Sequence, residues 1–223
     1  MKYEISCRPS FSLLETELDA GESVVSDAGA MAWMSDNVRT QTSTRGGVLS
    51  GLKRSLLAGE SFFQNTYTAE GDRGRIALAP GCAGDIVEHT LRNGELLLER
   101  GAYLASETGV TCDSKWSGLK GLFNEGVFVL RVTGTGLLFF HAYGSVHEIT
   151  VDGRYTVDNG YAVAWEPTLD YQVTRARKIR SFLFADQLLL NFSGYGRLWV
   201  QSRSPNALAN WVHPFRRVKS KNN

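Results

Sequence analysis

A glycine-led motif recurs three times along the chain. Gly29-Ala30-Met31-Ala32-Trp33 aligns with Gly101-Ala102-Tyr103-Leu104-Ala105 and with Gly160-Tyr161-Ala162-Val163-Ala164. Shortly ahead of each stands a polar glycine turn: Ala20-Gly21-Glu22, Asn93-Gly94-Glu95 and Asp152-Gly153-Arg154. Downstream, Glu60-Ser61-Phe62-Phe63, Glu125-Gly126-Val127-Phe128 and Asp186-Gln187-Leu188-Leu189 are each acidic and then strand-like. Each is followed by a glycine turn and another strand: Gly74-Arg75-Ile76-Ala77-Leu78, Gly136-Leu137-Leu138-Phe139-Phe140 and Gly196-Arg197-Leu198-Trp199-Val200. The motif glycines lie 72 and 59 residues apart, whereas Gly74, Gly136 and Gly196 recur at 62 and 60. The first interval therefore carries an insertion, around 43–58. A small antiparallel unit of this kind cannot close its own edges, and three side by side bury them. The pattern predicts one body of three β-repeats (about 1–85, 86–148 and 149–204) in a pseudo-threefold arrangement, followed by a C-terminal helix and basic tail over 205–223.

Local patterns agree with an all-β class. Runs such as 61–68, 127–132 and 196–201 alternate aromatic and β-branched residues with polar ones. Glycine is frequent, at 23 of 223 residues, and proline scarce, at 5, which suits tight turns and bulges. Short helices are predicted at about 47–58 and 205–212, with a helical turn near 117–123. Ser204-Pro205 opens the last helix as a cap followed by proline at the first helical position.

Charge and cysteine usage exclude more than they identify. The net charge is +1, so bulk composition offers no attraction to nucleic acid. Cys7, Cys82 and Cys112 are odd in number and widely spaced, which fits a reducing interior rather than a disulfide framework. Met1-Lys2-Tyr3-Glu4-Ile5-Ser6 lacks the apolar stretch of a signal peptide, and a cytoplasmic location is expected.

Several ordered motifs carry a family resemblance: Gly46-Gly47-Val48-Leu49-Ser50-Gly51-Leu52-Lys53-Arg54, Gly59-Glu60-Ser61-Phe62-Phe63-Gln64-Asn65, Pro80-Gly81-Cys82-Ala83-Gly84-Asp85-Ile86, Gly101-Ala102-Tyr103-Leu104-Ala105-Ser106 and Leu169-Asp170-Tyr171. Through these, from about Tyr3 to Arg203, the chain resembles the TRAP-like family of the mitochondrial biogenesis (altered inheritance of mitochondria) proteins. The resemblance implies repeated units of the double-stranded β-helix type, similar to those of the tryptophan-sensing RNA-binding attenuation protein. It implies no catalytic residue, cofactor or established activity. In eukaryotic relatives it implies a role in inner-membrane organisation. The chain departs from a direct RNA-binding analogy, because no regular lysine pattern recurs in its repeats.

Chemistry-bearing constellations are weak. A cupin-like metal centre needs two histidines at i and i+2 on one strand with a carboxylate nearby. Here His141, His147 and Glu148 are interrupted by Tyr143-Gly144-Ser145, which assigns the histidines to different strands. His89 and His213 are isolated. Phe192-Ser193-Gly194-Tyr195-Gly196 lacks the glycine two before the serine that a nucleophile elbow requires. The cysteines read as inert. In the glycine-rich stretch 46–55, Leu52 stands where a phosphate-binding loop has lysine. No catalytic residue, metal ligand or cofactor site is assigned.

The same stretch reads better as a surface helix. Val48, Leu49, Leu52, Leu56 and Leu57 form one apolar stripe, with Lys53 and Arg54 off it. Gly51 costs such a helix about 1 kcal/mol, so it needs something to pack against. Val48, Leu49, Leu52, Lys53, Arg54 and Leu56 are thus the candidate interaction surface, facing the β-body, a second subunit, another protein or a membrane. The tail from Pro214 carries Arg216, Arg217, Lys219 and Lys221 without an acid. The expected function is a non-enzymatic scaffold or binding protein that self-assembles or associates with a membrane. The alternative is a small-ligand or RNA-binding module resembling the attenuation protein, although nucleic acid is not an expected partner.

Overall fold

The computed structural model describes residues 1–43, 63–113, 129–175 and 188–216. It is mostly β-sheet, as the period-2 patterns predict. Strands β1 (Lys2–Ser6), β2 (Leu13–Leu18), β3 (Ser23–Asp27), β4 (Met31–Met34), β5 (Val38–Ser43), β6 (Gln64–Ala69) and β7 (Gly74–Leu78) come first. The middle of the chain supplies β8 (Ile86–Glu99), β9 (Tyr103–Glu107), β10 (Val110–Asp113) and β11 (Val129–His141). The last third supplies β12 (Val146–Asp158), β13 (Ala162–Trp165), β14 (Leu169–Arg175) and β15 (Leu188–Gln201). Among the described residues one α-helix is present, α1 (Pro205–Val212), where 205–212 was expected. Ser204 Oγ accepts from the Ala207 N–H at its start, and Pro205 sits where the missing N–H costs nothing. The predicted helix at about 47–58, with its apolar stripe, and the helical turn near 117–123 lie outside the described residues.

Two sheets result. One has the order β1-β2-β7-β4; the other runs β12-β15-β13-β8-β11-β9-β3-β6-β5, with β10 on β11 and β14 on β15. The same local pairings occur in each third of the chain. Val38 lies opposite Ala69 in β5–β6, Val110 opposite Gly134 in β10–β11, and Leu169 opposite Gly194 in β14–β15. The strands β4, β9 and β13 each pair with the end of a later strand through a bulge: Met31 with Leu78 and Trp33 with Ala77, Tyr103 with Phe140 and Ala105 with Phe139, Ala162 with Val200 and Ala164 with Trp199.

One expectation needs correction. Six glycine turns were predicted between strands, but only those around Gly21 and Gly74 separate strands. Asn93-Gly94 and Gly136 lie inside β8 and β11, where Asn93 takes a φ of 51° and the register shifts at Gly134/Thr135. Gly153 and Gly196 lie inside β12 and β15, with Gly153 (φ 93°) directly opposite Gly194 (φ 118°). The physical reason is the ladder. A long strand with a continuous partner keeps its hydrogen bonds through a bulge and a positive-φ residue, bending without turning back.

Among the described residues the alternating inward faces form three apolar clusters. Leu14, Leu18, Ile76, Leu78, Ile86 and Phe139 belong to one, and Leu96, Leu98, Leu138, Phe140 and Trp199 to the next. The third centres on Trp165, whose ring meets Tyr171 and Phe192 edge-on at centroid distances of 5.0 and 5.4 Å. Polar contacts tie the β1–β2 loop to the segment that leads into β8. The buried Asp85 accepts from Arg8 Nε and Nη2 (2.9 Å each), Ser12 Oγ (2.7 Å) and its neighbour Ile86 N–H (2.9 Å). Burial alone would raise its pKa, but these hydrogen bonds outweigh that and hold it below the usual carboxylate range.

Beside Asp85, Gly84 forms a parallel bridge with Gly144. A Cβ at Gly84 would collide with the Ala142 carbonyl oxygen and the Gly144 backbone, whereas a Cβ at Gly81 would meet nothing within 4 Å. Gly84→Ala is therefore expected to destabilise the protein by about 1–3 kcal/mol or more, and Gly81→Ala by no more than about 0.5 kcal/mol. Chemical denaturation of the two variants beside the parent checks this; equal midpoints would refute the packing account.

Candidate functional site

The turns that lead into β4, β9 and β13 share one device. A carboxylate two residues before the motif glycine accepts that glycine's N–H. Glu99 Oε2 takes Gly101 N–H and Asp158 Oδ1 takes Gly160 N–H, both at 2.8 Å, and Asp27 is held by the N–H groups of Gly29 and Ala28. Two of these carboxylates, Asp27 and Glu99, line a cavity of about 300 Å³, together with Cys82, His141, Tyr143 and Gln201. Residues from each third of the chain thus meet around one space. Gln201 is fixed there, donating to the Gly160 carbonyl at 2.9 Å and accepting the Tyr143 N–H at 2.8 Å.

The cavity holds a thiol–imidazole pair. His141 ends β11 with Nδ1 3.6 Å from Cys82 Sγ. Its ring also hydrogen-bonds the Gly101 backbone; a carbonyl partner there needs a ring N–H, which leaves Nδ1 to accept the thiol proton. Burial pushes the His141 pKa down from 6.5 to about 4, and burial followed by the charge of Glu99 pushes the Cys82 thiol up. Burial also raises Asp27 and Glu99. At neutral pH both members of the pair are uncharged. That is the opposite of a thiolate–imidazolium nucleophile, which needs a lowered thiol pKa.

The residues weighed from sequence fall elsewhere. His147 and Glu148 are exposed on β12, opposite Val200 and Trp199, while His141 sits on β11. His89 stacks edge-on against Trp199 at 5.6 Å, and His213 is exposed beyond α1. Ser193 is exposed within β15. Among the described residues no group of three or more His, Cys, Asp or Glu is arranged to hold a metal ion. Val48, Leu49, Leu52, Lys53, Arg54 and Leu56 lie outside the described residues. Sequence reasoning missed the Cys82–His141 pair, whose members stand 59 positions apart. The signal that was available is the recurring acid two before each motif glycine, in Asp27-Ala28-Gly29, Glu99-Arg100-Gly101 and Asp158-Asn159-Gly160.

A second feature lies on the surface. Leu208, Trp211 and Val212 of α1 and Phe215 of the 3-10 turn that continues it (His213–Phe215) recur at i, i+3, i+4 and i+7, and all four are exposed, Trp211 by 69% and Phe215 by 73%. The two rings touch at 5.6 Å. A helical stripe of this width ordinarily faces a core; this one faces outward. Arg216 follows it, exposed, and the sequence continues with Arg217, Lys219 and Lys221. No helix among the described residues is long and apolar enough to cross a membrane.

Known proteins match the chain along nearly all its length. The family model described as mitochondrial biogenesis AIM24 matches residues 3–203. An uncharacterized protein of Streptococcus pyogenes serotype M6 is 33% identical over 213 residues, spanning 91% of this chain and 86% of that protein. A crystal structure of a protein from Streptococcus pyogenes is similar with a TM-score of 0.80 and 28% identity, over 96% of this chain and 99% of the other.

The buried imidazole sets a pH dependence. Its folded pKa, about 4, lies below the unfolded value of 6.5, so between these values the unfolded chain binds more protons. The contribution of neutral His141 is therefore complete above about pH 6.5 and is lost as pH falls toward 4, by at most about 3 kcal/mol. His89, lowered mainly by burial, acts in the same direction. Melting temperature measured from pH 7 to pH 4.5 should fall more steeply in the parent than in His141→Gln. Parallel curves would show that His141 is not buried as described.

Proposed function

The chain belongs to the mitochondrial biogenesis AIM24 family, and from that premise we propose that it is a non-enzymatic scaffold that docks on an anionic membrane surface through α1. The observation that carries this reading is the outward stripe Leu208, Trp211, Val212 and Phe215, continued by basic residues. Aromatic and aliphatic side chains on one face with lysine and arginine beside them suit a helix lying in the headgroup region, inserted by about 5–10 Å. Each large apolar side chain is worth about 1.5–3 kcal/mol when fully buried, and each cation near an anionic leaflet about 1 kcal/mol. One short helix thus supplies reversible attachment, and a cytoplasmic leaflet is the surface this reading favours.

The body behind the helix is, in this reading, three copies of one β-unit in pseudo-threefold order, of the TRAP-like, double-stranded β-helix kind. The matched registers support it: 38, 110 and 169 occupy the same pairing, each nine residues after Gly29, Gly101 and Gly160. The bulged pairings of β4, β9 and β13 support it in the same way. A rigid body of this sort presents α1 without an activity of its own. A second reading, a small-ligand module, is favoured by the 300 Å³ cavity where the carboxylate turns meet. The absence of a recurring lysine pattern disfavours the RNA-binding form of that alternative.

Co-sedimentation with vesicles tests the membrane reading. The full chain is expected to bind phosphatidylcholine vesicles containing phosphatidylserine, with binding weakened by salt. Trp211→Ser combined with Phe215→Ser should lose about tenfold or more in affinity while keeping the parent's melting temperature, because neither ring is buried. Equal binding by the variant, or no binding by the parent at low salt, would refute it.

A further inference from the structure

Two junctions join the three units, and both use one register. β3 pairs with β9 so that Ser26 faces Ala105, and β8 pairs with β13 so that Leu98 faces Ala164. In each case one partner stands immediately before a turn carboxylate, Asp27 or Glu99. The other stands four residues after a motif glycine, Gly101 or Gly160. The remaining members of the two sets are Val157, immediately before Asp158, and Trp33, four after Gly29. The same rule would set Trp33 opposite Val157 and Met34 opposite Thr156.

Among the described residues that third ladder is not made. β4 pairs with β7 alone, and residues 154–158 of β12 pair with β15 alone. Exposure follows the pairing. Tyr103, Ala105, Ala162 and Ala164 are at most 3% exposed, whereas Met31 is 40%, Trp33 55% and Met34 38% exposed, and Tyr155 on the other open edge is 43% exposed. The β4 edge, Met31-Ala32-Trp33-Met34, differs from an ordinary solvated edge, which is blunted by charged residues or proline; the β12 edge carries Arg154 and Asp158 beside the exposed Tyr155. The two edges are complementary, since each is the missing half of a junction that the chain builds twice.

We propose that a second copy of this chain fills these edges, with β4 of one copy pairing to residues 154–158 of the other. The inference rests on the three-unit reading given above. A junction between unlike edges is head-to-tail, so it either closes a ring, for which two chains exchanging two junctions suffice, or propagates. The second copy is the occupant because it carries the complementary edge in the register already used twice, whereas the chain's own 154–158 edge does not pair with its own β4. The contact covers Met31, Trp33, Met34 and Tyr155 and satisfies two rows of backbone donors and acceptors.

Two single-cysteine variants of the full chain test it, Met34→Cys and Thr156→Cys, exposed positions that the register sets opposite each other, each with Cys7 and Cys82 replaced by serine and the buried Cys112 by alanine. Mixed in equal amounts and treated with a short bis-maleimide, they should give a linked heterodimer whose peptides map to positions 34 and 156. Neither variant alone should give this product. Native mass spectrometry of the unaltered chain should show an oligomer, and Trp33→Glu should convert it to monomer with an unchanged circular-dichroism spectrum. A monomer at all concentrations overturns the proposal. So does efficient linking within a single chain carrying both cysteines at high dilution, although that result upholds the three-unit register by closing it internally. An oligomer linked through other positions overturns both the proposal and the register from which it was drawn.

Discussion

The strand after each carboxylate turn has two edges, and pairing the outer one is what lets adjoining thirds of the chain share a core. β9 is held between β11 and β3, and β13 between β15 and β8. Where this happens the residue four after the motif glycine is alanine, at 105 and 164, with no exposed surface. Where it does not, the same position is Trp33, more than half exposed. A sheet that closes over a position leaves room only for a small side chain, because interiors are packed to crystal density. Phe139 illustrates the dependence. It lies in β11, opposite Ala105, yet belongs to the cluster containing Leu14, Leu78 and Tyr67 from the first third.

The cavity is a by-product of the same turns. Bringing several strand entries together gathers their capping carboxylates, and burial raises the pKa values of Asp27 and Glu99. A neutral imidazole and a neutral thiol are what such surroundings tolerate. His141 serves here by hydrogen bonding without charge, and its partner thiol is kept protonated by burial and by the nearby Glu99. The electrostatics therefore argue against a catalytic reading of a pair whose spacing alone would invite one.

How much of this was legible in the sequence depended on range. Period-2 alternation revealed the all-β class, and Ser204-Pro205 marked α1 to the residue, because caps and side-chain alternation are local. The recurring turn glycines were found, but their role was misread at Gly94, Gly136, Gly153 and Gly196. A glycine signals a special φ, and whether the chain then turns or continues depends on whether a partner strand lies alongside. The Cys82–His141 contact joins a loop to a strand end through tertiary structure, and no spacing rule reaches it. The stripe of α1 was readable as a period, yet periodicity says only that one face is apolar and not what covers it. For that reason the helix predicted at 47–58 drew attention that Trp211 and Phe215 warranted equally.

The proposed self-assembly and the proposed membrane attachment would reinforce each other in this architecture. A helix of eight residues with a basic extension binds a surface weakly, since it must order itself there and its charges are screened within about 8–10 Å at ordinary salt. Two chains joined through β4 and β12 would carry two such helices on one rigid body. The second attachment would then be intramolecular, and avidity could exceed that of one helix by about 10²–10⁴-fold if both face the same surface. Rigidity matters to this argument, because a flexible body would dilute the second helix over many orientations. The long continuous strands β8 and β11, bent at a bulge, and β12 and β15, paired without a break through their positive-φ glycines, supply that rigidity. The feature that sequence reasoning misread is thus the one that would turn a weak contact into a stable one.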